Sequence, residues 1–494
     1  GGGAHTSYNK RLVILDGGDV GIGMESPAYK LDILDGTANA GSIRLGDVST
    51  NSTAKAGIIA SRHYTNSEED FLAFAAYSYS GNNLLDIGGQ WSGWNAATKI
   101  RFSTAADGTT TSGTVRMVID NNSRISLSNN DSGEHNTLFG SGAGASLDAN
   151  SDGNTFIGKN VSDASMSTAL YNTGVGYGAI SELTGGDANT AIGAFAASNT
   201  TTGVSNVAIG AYDGSISAAL VVNTVGSYNI AIGTGALSTA NENDNDGSIA
   251  IGHEACKVQA GTGGAQFANS TIGIGYHALK ALTTGAQNIA IGYQAAILQT
   301  DGDKNITIGY QAMSSANSGE TGNICIGFQA GSDFDDAGCD NNVIIGDSAG
   351  TGGGAAMASC VVIGKDAMNS TVANAQTGTI AIGHNALTAL TTGAGNVAVG
   401  YSAGSPVTTG SYSTAVGHES LGVSAANVIT GNFNTCFGYR SGYDIEGASH
   451  SNTIVGANAG AGLTTGVQNT IIGKSAGGGL TTTGNNVAIG YDAL

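Results

Sequence analysis

The sequence contains 494 residues, including 80 glycines but only 2 prolines, and it carries a formal net charge of −20. This length exceeds the size at which a single globular core stops growing, so the chain either contains several domains or repeats. The composition excludes collagen, which needs a Gly-x-y period, and the acidic balance disfavours nucleic acid and anionic membrane surfaces as partners.

The N-terminal part, residues 1–48, is interpreted as a β-rich connector. It opens with Gly1-Gly2-Gly3 rather than with Met or a signal peptide, which predicts a processed or partial chain. No run of about 18 apolar residues occurs in the sequence, so we expect no transmembrane helix and no membrane insertion.

Residues 49–130 are less repetitive and are predicted to form a small antiparallel β-domain. Residues 71–80 and 99–103 have the composition of strands. A turn signal lies between them at Gly81-Asn82-Asn83, because glycine and asparagine accept the backbone angles of tight turns.

Both tryptophans of the chain, Trp91 and Trp94, lie in this region near Tyr77 and Tyr79. Aromatic side chains bind sugars by stacking and act as anchors for protein partners. These four residues are therefore a candidate site for a glycan or a protein receptor. The alternative is that they pack in the core of the small domain or between chains.

Residues 131–494 are predicted to form a repeat region that serves as shaft or head. Twenty copies of one unit follow each other there, most often 17 residues apart, each with Asn, a β-branched residue, a small or apolar residue, Ile or Val, and a marker glycine. Asn288-Ile289-Ala290-Ile291-Gly292 is one copy. The repeat glycines include Gly193, Gly210, Gly292, Gly309, Gly400, Gly473 and Gly490.

Each unit is expected to begin with a short strand that is apolar on both faces. The residue three before the glycine is Thr, Val or Ile, the residue just before it is Ile, Val or Phe, and the residue between them is never charged. Because alternate residues of a strand point to opposite faces, one face can fill a coil while the other requires a partner. The pattern predicts an all-β solenoid of about twenty coils that oligomerises about a fibre axis. The many small middle residues are expected to allow neighbouring chains to approach closely.

Asn opens the strand in 15 of the 20 copies. Stacked asparagine side chains are expected to form a hydrogen-bonded ladder along the solenoid. Glycine and asparagine are expected to supply the positive φ values of the corners.

Cys325, Cys360 and Cys436 fall on the strand and are expected to be small buried hydrophobes. The five cysteines contain no CxxC pair that would indicate zinc or redox chemistry.

The Asn-x-Ala-Ile-Gly-x-x-Ala unit, over about 136–494, resembles the head repeat of trimeric autotransporter adhesins, and similar repeats occur in bacteriophage tail fibres. The segments 19–33 and 115–127, which include Gly21-Ile22-Gly23-Met24 and Val118-Ile119-Asp120, resemble segments common in phage tail-fibre proteins. The resemblance implies a parallel β-roll that assembles as a homotrimer.

Cation binding is a hypothesis at two acidic loops. Asp148, Asn150 and Asp152 have the spacing of the start of a calcium loop but lack its closing Glu, and Asp244 with Asp246 is a weaker version. A structural Ca²⁺ at one of these loops is the sharper interpretation. Solvated turns without any cofactor are the alternative.

Three histidines, His253, His384 and His418, directly follow a marker glycine. In a trimer, three copies of one histidine could meet at the axis and bind a metal or an anion. Tyr, Lys, Asp and Ala occupy the same position in other units, so simple exposure is the alternative interpretation.

No Ser-His-Asp pattern, phosphate loop or HExxH motif occurs in the sequence, and we expect no enzymatic activity. The leading hypothesis is a structural and adhesive virion fibre, a phage tail fibre that attaches to host cells and contacts other virion tail proteins. The alternatives are a trimeric adhesin on a bacterial cell surface, a passive structural filament, and a tailspike glycan hydrolase that uses paired carboxylates.

Overall fold

The computed structural model describes residues 12–22, 31–33, 55–61, 71–79, 82–87, 99–104, 114–120, 125–126, 135–239, 246–259, 270–317, 319–352, 356–370, 376–422 and 428–494. The chain divides into two compact units, Gly1–Ser128 and Asn129–Leu494. All regular elements in the described ranges are β-strands, and no helix there is long and apolar enough to cross a membrane.

The first unit contains three small sheets. Their strands are β1 (Val13–Ile14), β2 (Val20–Ile22), β3 (Leu31–Ile33), β4 (Lys55–Ser61), β5 (Phe71–Tyr79), β6 (Asn82–Ile87), β7 (Lys99–Thr104), β8 (Thr114–Asp120) and β9 (Ile125–Ser126). The sheets β4-β5-β6 and β7-β8-β9 are antiparallel, as predicted, whereas β2 pairs with β3 in parallel. The predicted turn at 81–83 is wrong in its extent, because Asn82 and Asn83 already pair with Tyr79 and Ser78 within the hairpin.

The second unit is a parallel β-solenoid, as predicted. Its strands are β10 (Thr137–Phe139), β11 (Thr155–Ile157), β12 (Thr173–Val175), β13 (Thr190–Ile192), β14 (Val207–Ile209), β15 (Ile230–Ile232), β16 (Ile249–Ile251), β17 (Ile272–Ile274), β18 (Ile289–Ile291), β19 (Ile306–Ile308), β20 (Ile324–Ile326), β21 (Val343–Ile345), β22 (Met357–Ala358), β23 (Val361–Ile363), β24 (Gln376–Thr377), β25 (Ile380–Ile382), β26 (Val397–Val399), β27 (Thr414–Val416), β28 (Thr435–Phe437), β29 (Thr453–Val455), β30 (Thr470–Ile472) and β31 (Val487–Ile489). Twenty of them form one parallel sheet, while β22 and β24 pair separately. Ile289 pairs with Ile306 and Ile291 with Ile308, and this register repeats along the sheet.

The middle residue of each three-residue strand fills the coil, and the two flanking residues point outward. Ala208, Ala231 and Ala290 are fully buried, whereas the flanking residues of all twenty strands are half-buried or exposed. The interpretation of the small middle residues as the surface that allows close approach of chains is therefore wrong. The same inward position also holds large side chains, since Phe156, Ile344 and Ile471 are fully buried there.

The marker glycines lie where the backbones of consecutive coils approach each other closely. All seven named repeat glycines have positive φ, from 124° at Gly490 to 158° at Gly210. A Cβ atom on Gly292 would lie 2.3 Å from the carbonyl oxygen of Gly309 in the next coil. Glycine is therefore required at this position by both backbone conformation and space.

We expect Gly292→Ala to lower the free energy of unfolding by more than about 3 kcal/mol, because the methyl group meets backbone that cannot move aside. Gly490→Ala is the matched control, since its φ is also positive but nothing lies within 4 Å of the added Cβ. Gly490→Ala should lower the free energy of unfolding by only about 1–2 kcal/mol. Chemical denaturation of both variants measures the difference, and equal losses would show that contact with the next coil does not matter.

The corners of the coils are not confined to glycine and asparagine, contrary to the sequence-based expectation. Gln294 and Ala296, after Gly292, have φ of 55° and 49°. For a residue with a Cβ atom, this left-handed conformation costs about 1 kcal/mol relative to the right-handed one. Backbone hydrogen bonds between coils hold them, since the N–H of Gln294 donates to the carbonyl of Tyr276 and that of Ala296 to Ala312, both at 2.9 Å.

The predicted asparagine ladder is confirmed. The backbone N–H of Asn305 donates to Oδ1 of Asn288 at 2.9 Å, and that of Asn323 donates to Oδ1 of Asn305 at 2.9 Å. The three side chains are fully buried. Where threonine replaces asparagine, at Thr271 and Thr379, the side-chain oxygen is buried without a hydrogen-bond partner. Asparagine is thus the side chain that satisfies the polar groups of this column.

The cysteines are free and buried, as predicted for Cys325, Cys360 and Cys436. Burial raises the pKa of Cys256 and of Cys436 to about 12. Because the thiolate is the reactive form, these thiols fill space and are chemically inert at neutral pH.

Candidate functional site

An apolar outer band follows the outside of the twenty-stranded sheet. We define it as the residues three before and one before each marker glycine, which are Thr, Val, Ile or Phe in every unit. Ile192, Ile291 and Phe437 are 40%, 36% and 54% exposed. Forty such side chains, each partly exposed, offer on the order of 2,000 Å², whereas a typical stable interface uses about 800 Å² per partner.

Two aromatic columns stand beside this band, built from the residue that directly follows the marker glycine. The first column contains His253, Tyr276, Tyr293, Tyr310 and Phe328, and the second contains His384, Tyr401, His418 and Tyr439. Ring centroids in the first column are 5.1–5.3 Å apart. The spacing follows the distance between neighbouring strands, about 4.8 Å.

The stacking determines what the columns can bind. Tyr276, Tyr293 and Tyr310 are 42%, 42% and 44% exposed, and neighbouring rings are nearly parallel, at 7°. Each ring face is therefore covered by the next ring, and the edges and hydroxyl groups face outward. A sugar stacks on a free ring face, so the interior of the column is not a platform for sugar stacking.

An exposed ion pair separates the two columns. Lys365 Nζ lies 3.3 Å from Asp347 Oδ2 at the positions where aromatic rings would otherwise continue the stack. The hydrogen bond to Asp347 raises the pKa of Lys365, while hydrogen bonds from Ser348 and Lys365 lower the pKa of Asp347. At these two positions an ion pair, rather than stacked rings, joins the neighbouring coils.

A cluster of titratable side chains lies at the start of the first aromatic column. Glu254 is 5% exposed, with Lys257 Nζ at 2.5 Å from Oε1 and Lys280 Nζ at 2.6 Å from Oε2. Burial alone would raise the pKa of Glu254, but the hydrogen bonds from the two lysines outweigh burial and lower the pKa to about 2. Glu254 is therefore a carboxylate.

Two histidines from neighbouring coils complete this cluster. His277 Nε2 lies 3.0 Å from Glu254 Oε2, and the rings of His253 and His277 are 5.6 Å apart. His253 Nδ1 is buried without a hydrogen-bond partner, whereas His277 Nε2 faces the Glu254 carboxylate. Burial, with a contribution from the charge of Lys280, lowers the pKa of His277 and favours the neutral imidazole.

Among the residues that the structure describes, His253, Glu254 and His277 form the one group of three His, Cys, Asp or Glu side chains placed to share a metal ion. Sequence reasoning singled out His253, either as an exposed residue or as a ligand at a trimer axis, and it missed the other two. The signal was present: Gly-His-Glu is followed by Gly-Tyr-His in the next unit. In-register stacking brings the two motifs together.

The carboxylates of the predicted calcium loops accept hydrogen bonds, within the loop at Asp148 and from another coil at Asp246. Asp148 Oδ1 accepts hydrogen bonds from the Asn150 backbone N–H at 3.2 Å and from Ser151 Oγ at 2.7 Å. Asp246 Oδ1 accepts a hydrogen bond from the Ser227 N–H at 2.6 Å. Asp152 lies in the first loop, and Asp244 lies outside the described residues. Calcium binding at these loops stays a prediction.

The predicted receptor-binding aromatics lie in the first unit. Tyr77 and Tyr79 belong to β5, the central strand of its antiparallel sheet. Trp91 and Trp94 lie outside the described residues. A role of the four aromatics in receptor binding stays a prediction.

The fold and surface define the chain as a parallel β-solenoid repeat protein with an apolar outer band. No protein-family model, no curated protein and no solved structure matches it.

Proposed function

We propose that this chain forms a homotrimeric bacteriophage tail fibre that attaches the virion to its host cell. The observation that carries the proposal is the outer band, an apolar surface that runs along all twenty strands. Large exposed apolar patches on soluble proteins mark interaction surfaces. A band of this length and regularity suits a partner that has the same repeat, which is another copy of this chain.

Cyclic symmetry explains how identical bands could be covered. Parallel copies arranged about one axis present the same surface in every chain and keep coil facing coil over the whole solenoid. The outer band contains no charged residue, so its burial leaves no uncompensated charge. The number of three comes from the resemblance of the repeat to the heads of trimeric adhesins and to phage fibres.

Acidic charge supports the same arrangement. The net charge of −20 per chain keeps an extended fibre soluble once its apolar band is covered. The same charge opposes lateral association of complete fibres, because like charges repel outside the interface.

The proposal predicts that antibodies against the chain label the tails of virions and that the purified fibre competes with virions for adsorption to host cells. Immunogold microscopy and an adsorption assay measure these outcomes. Double substitution of Trp91 and Trp94 by Ala should abolish competition if the predicted receptor site is correct, and Leu298→Asp serves as a control.

Each alternative predicts a different result in these assays. Gold label on bacterial surfaces rather than virions would identify an adhesin, and a trimer without any cell binding would identify a passive filament. Release of reducing sugar from host glycan would contradict the expectation of a non-enzymatic fibre and identify a tailspike hydrolase.

A further inference from the structure

We propose that His253, Glu254 and His277 bind a divalent transition-metal ion of the zinc type, which links two neighbouring coils of one chain. Two imidazoles and one carboxylate are a ligand set found in zinc sites, with a fourth position left for water. His253 and Glu254 follow the marker glycine of one coil, and His277 belongs to the next. The site is therefore intramolecular and does not depend on the proposed trimer.

The distances are within reach of a metal site. The three candidate ligand atoms lie within 4.8 Å of one another, and His277 Nε2 lies 3.0 Å from Glu254 Oε2. Tetrahedral Zn²⁺ with ligand bonds of about 2.0–2.1 Å requires ligand atoms roughly 3.4 Å apart. Adjustment of the half-buried His253 side chain would bring the three ligand atoms to this separation.

A ring nitrogen without a partner favours a metal over an ordinary structural cluster. Buried polar atoms in native proteins are almost always paired, but His253 Nδ1 has no hydrogen-bond partner, and His277 Nε2 already faces the Glu254 carboxylate at 3.0 Å. A metal ion accepts lone pairs from both neutral imidazoles at once.

Lys280 is the competitor of the metal. Its Nζ pairs with Glu254 Oε2, the oxygen nearest to His277, and its side chain is 33% exposed, so it can turn to water. Lys257 pairs with Oε1 and can keep the carboxylate in place. Removal of the Lys280 charge should therefore tighten metal binding.

A second Gly-His-Glu motif in the chain provides a natural control. His418 and Glu419 follow Gly417 as His253 and Glu254 follow Gly252. In the next coil, however, Arg440 occupies the position equivalent to His277, and its Nε donates to Glu419 Oε2 at 2.5 Å. Arginine has no lone pair to offer a metal. The same scaffold is thus completed by an ion pair in one place and by a histidine in the other.

Calorimetric titration of the full chain with Zn²⁺, after removal of metals by chelator, tests the proposal. We expect one site per chain in the wild type. His277→Arg, which copies the second motif, should weaken binding at least about 100-fold while the circular dichroism spectrum stays unchanged. Lys280→Met should tighten binding roughly 10-fold.

The reciprocal variant does not depend on loss of function. Arg440→His should create a second site and raise the stoichiometry from about one to about two Zn²⁺ per chain. Unchanged affinity in His277→Arg, or unchanged stoichiometry in Arg440→His, would overturn the proposal. Loss of binding in Asp148→Asn instead would assign the metal to the predicted acidic loop.

Discussion

The double variant Ile291→Asp, Ile308→Asp is expected to convert the proposed trimer into folded monomers. Both residues belong to the outer band on adjacent strands, where they are paired in register. Each substitution would place a charge in an apolar interface without a partner, and such a charge costs about 3–5 kcal/mol. A trimer would contain three copies of each substitution, so six unpaired charges would destabilise its apolar interface. Native mass spectrometry and light scattering after gel filtration measure the change.

Leu298→Asp is the matched control for this prediction. Leu298 is 52% exposed but lies six residues after a marker glycine, outside the outer band. Its substitution should leave the oligomeric state unchanged. A wild-type chain that is a soluble, stable monomer would contradict the oligomer itself, and a double variant that stays trimeric would place the interface on another surface.

The substitution Asn305→Leu is expected to produce the second large effect, a loss of about 3–5 kcal/mol in the free energy of unfolding. Asn305 Nδ2 donates to the carbonyl of Glu320 at 2.6 Å, and its Oδ1 accepts from the backbone N–H and side chain of Asn323. Leucine would leave these groups buried and unpaired, each at a cost of about 1–3 kcal/mol. Urea denaturation monitored by circular dichroism measures the loss.

Asn199→Leu controls for the loss of asparagine as such. Asn199 is exposed, and its side chain accepts a hydrogen bond only from the neighbouring Ser198. Its substitution should change stability by less than about 0.5 kcal/mol. If both variants lose the same stability, the ladder is not what makes Asn305 important.

Much of the fold could be predicted because each unit repeats the same local constraints. The β-branched residues at Ile289 and Ile291 indicated a strand, Gly292 indicated a close backbone approach, and Asn288 indicated a stacked polar column. Twenty repetitions made each signal reliable. Identical units have one simple way to cover their apolar strands, which is to stack in register.

The candidate site could be predicted only in part. His253 was visible as an unusual residue after a marker glycine, but its partner His277 lies 24 positions further along the chain. Units of variable length hide this relation in the sequence. In the structure the strands of these two units pair in register, since Ile249 pairs with Ile272 and Ile251 with Ile274. Equivalent positions of the two units therefore lie side by side whatever the length of the connection between them.

The sequence by itself determined the repeat, the strand, the marker glycine and the asparagine ladder, since each depends on interactions between equivalent residues of neighbouring units. Only the tertiary structure decided which face of the strand lies inside. Both faces are apolar, so burial of either would satisfy the hydrophobic effect. Ala290 is fully buried and Ile291 is 36% exposed, because the chain closes each coil on the side of the middle residue, and this path is not encoded in the polarity of either face.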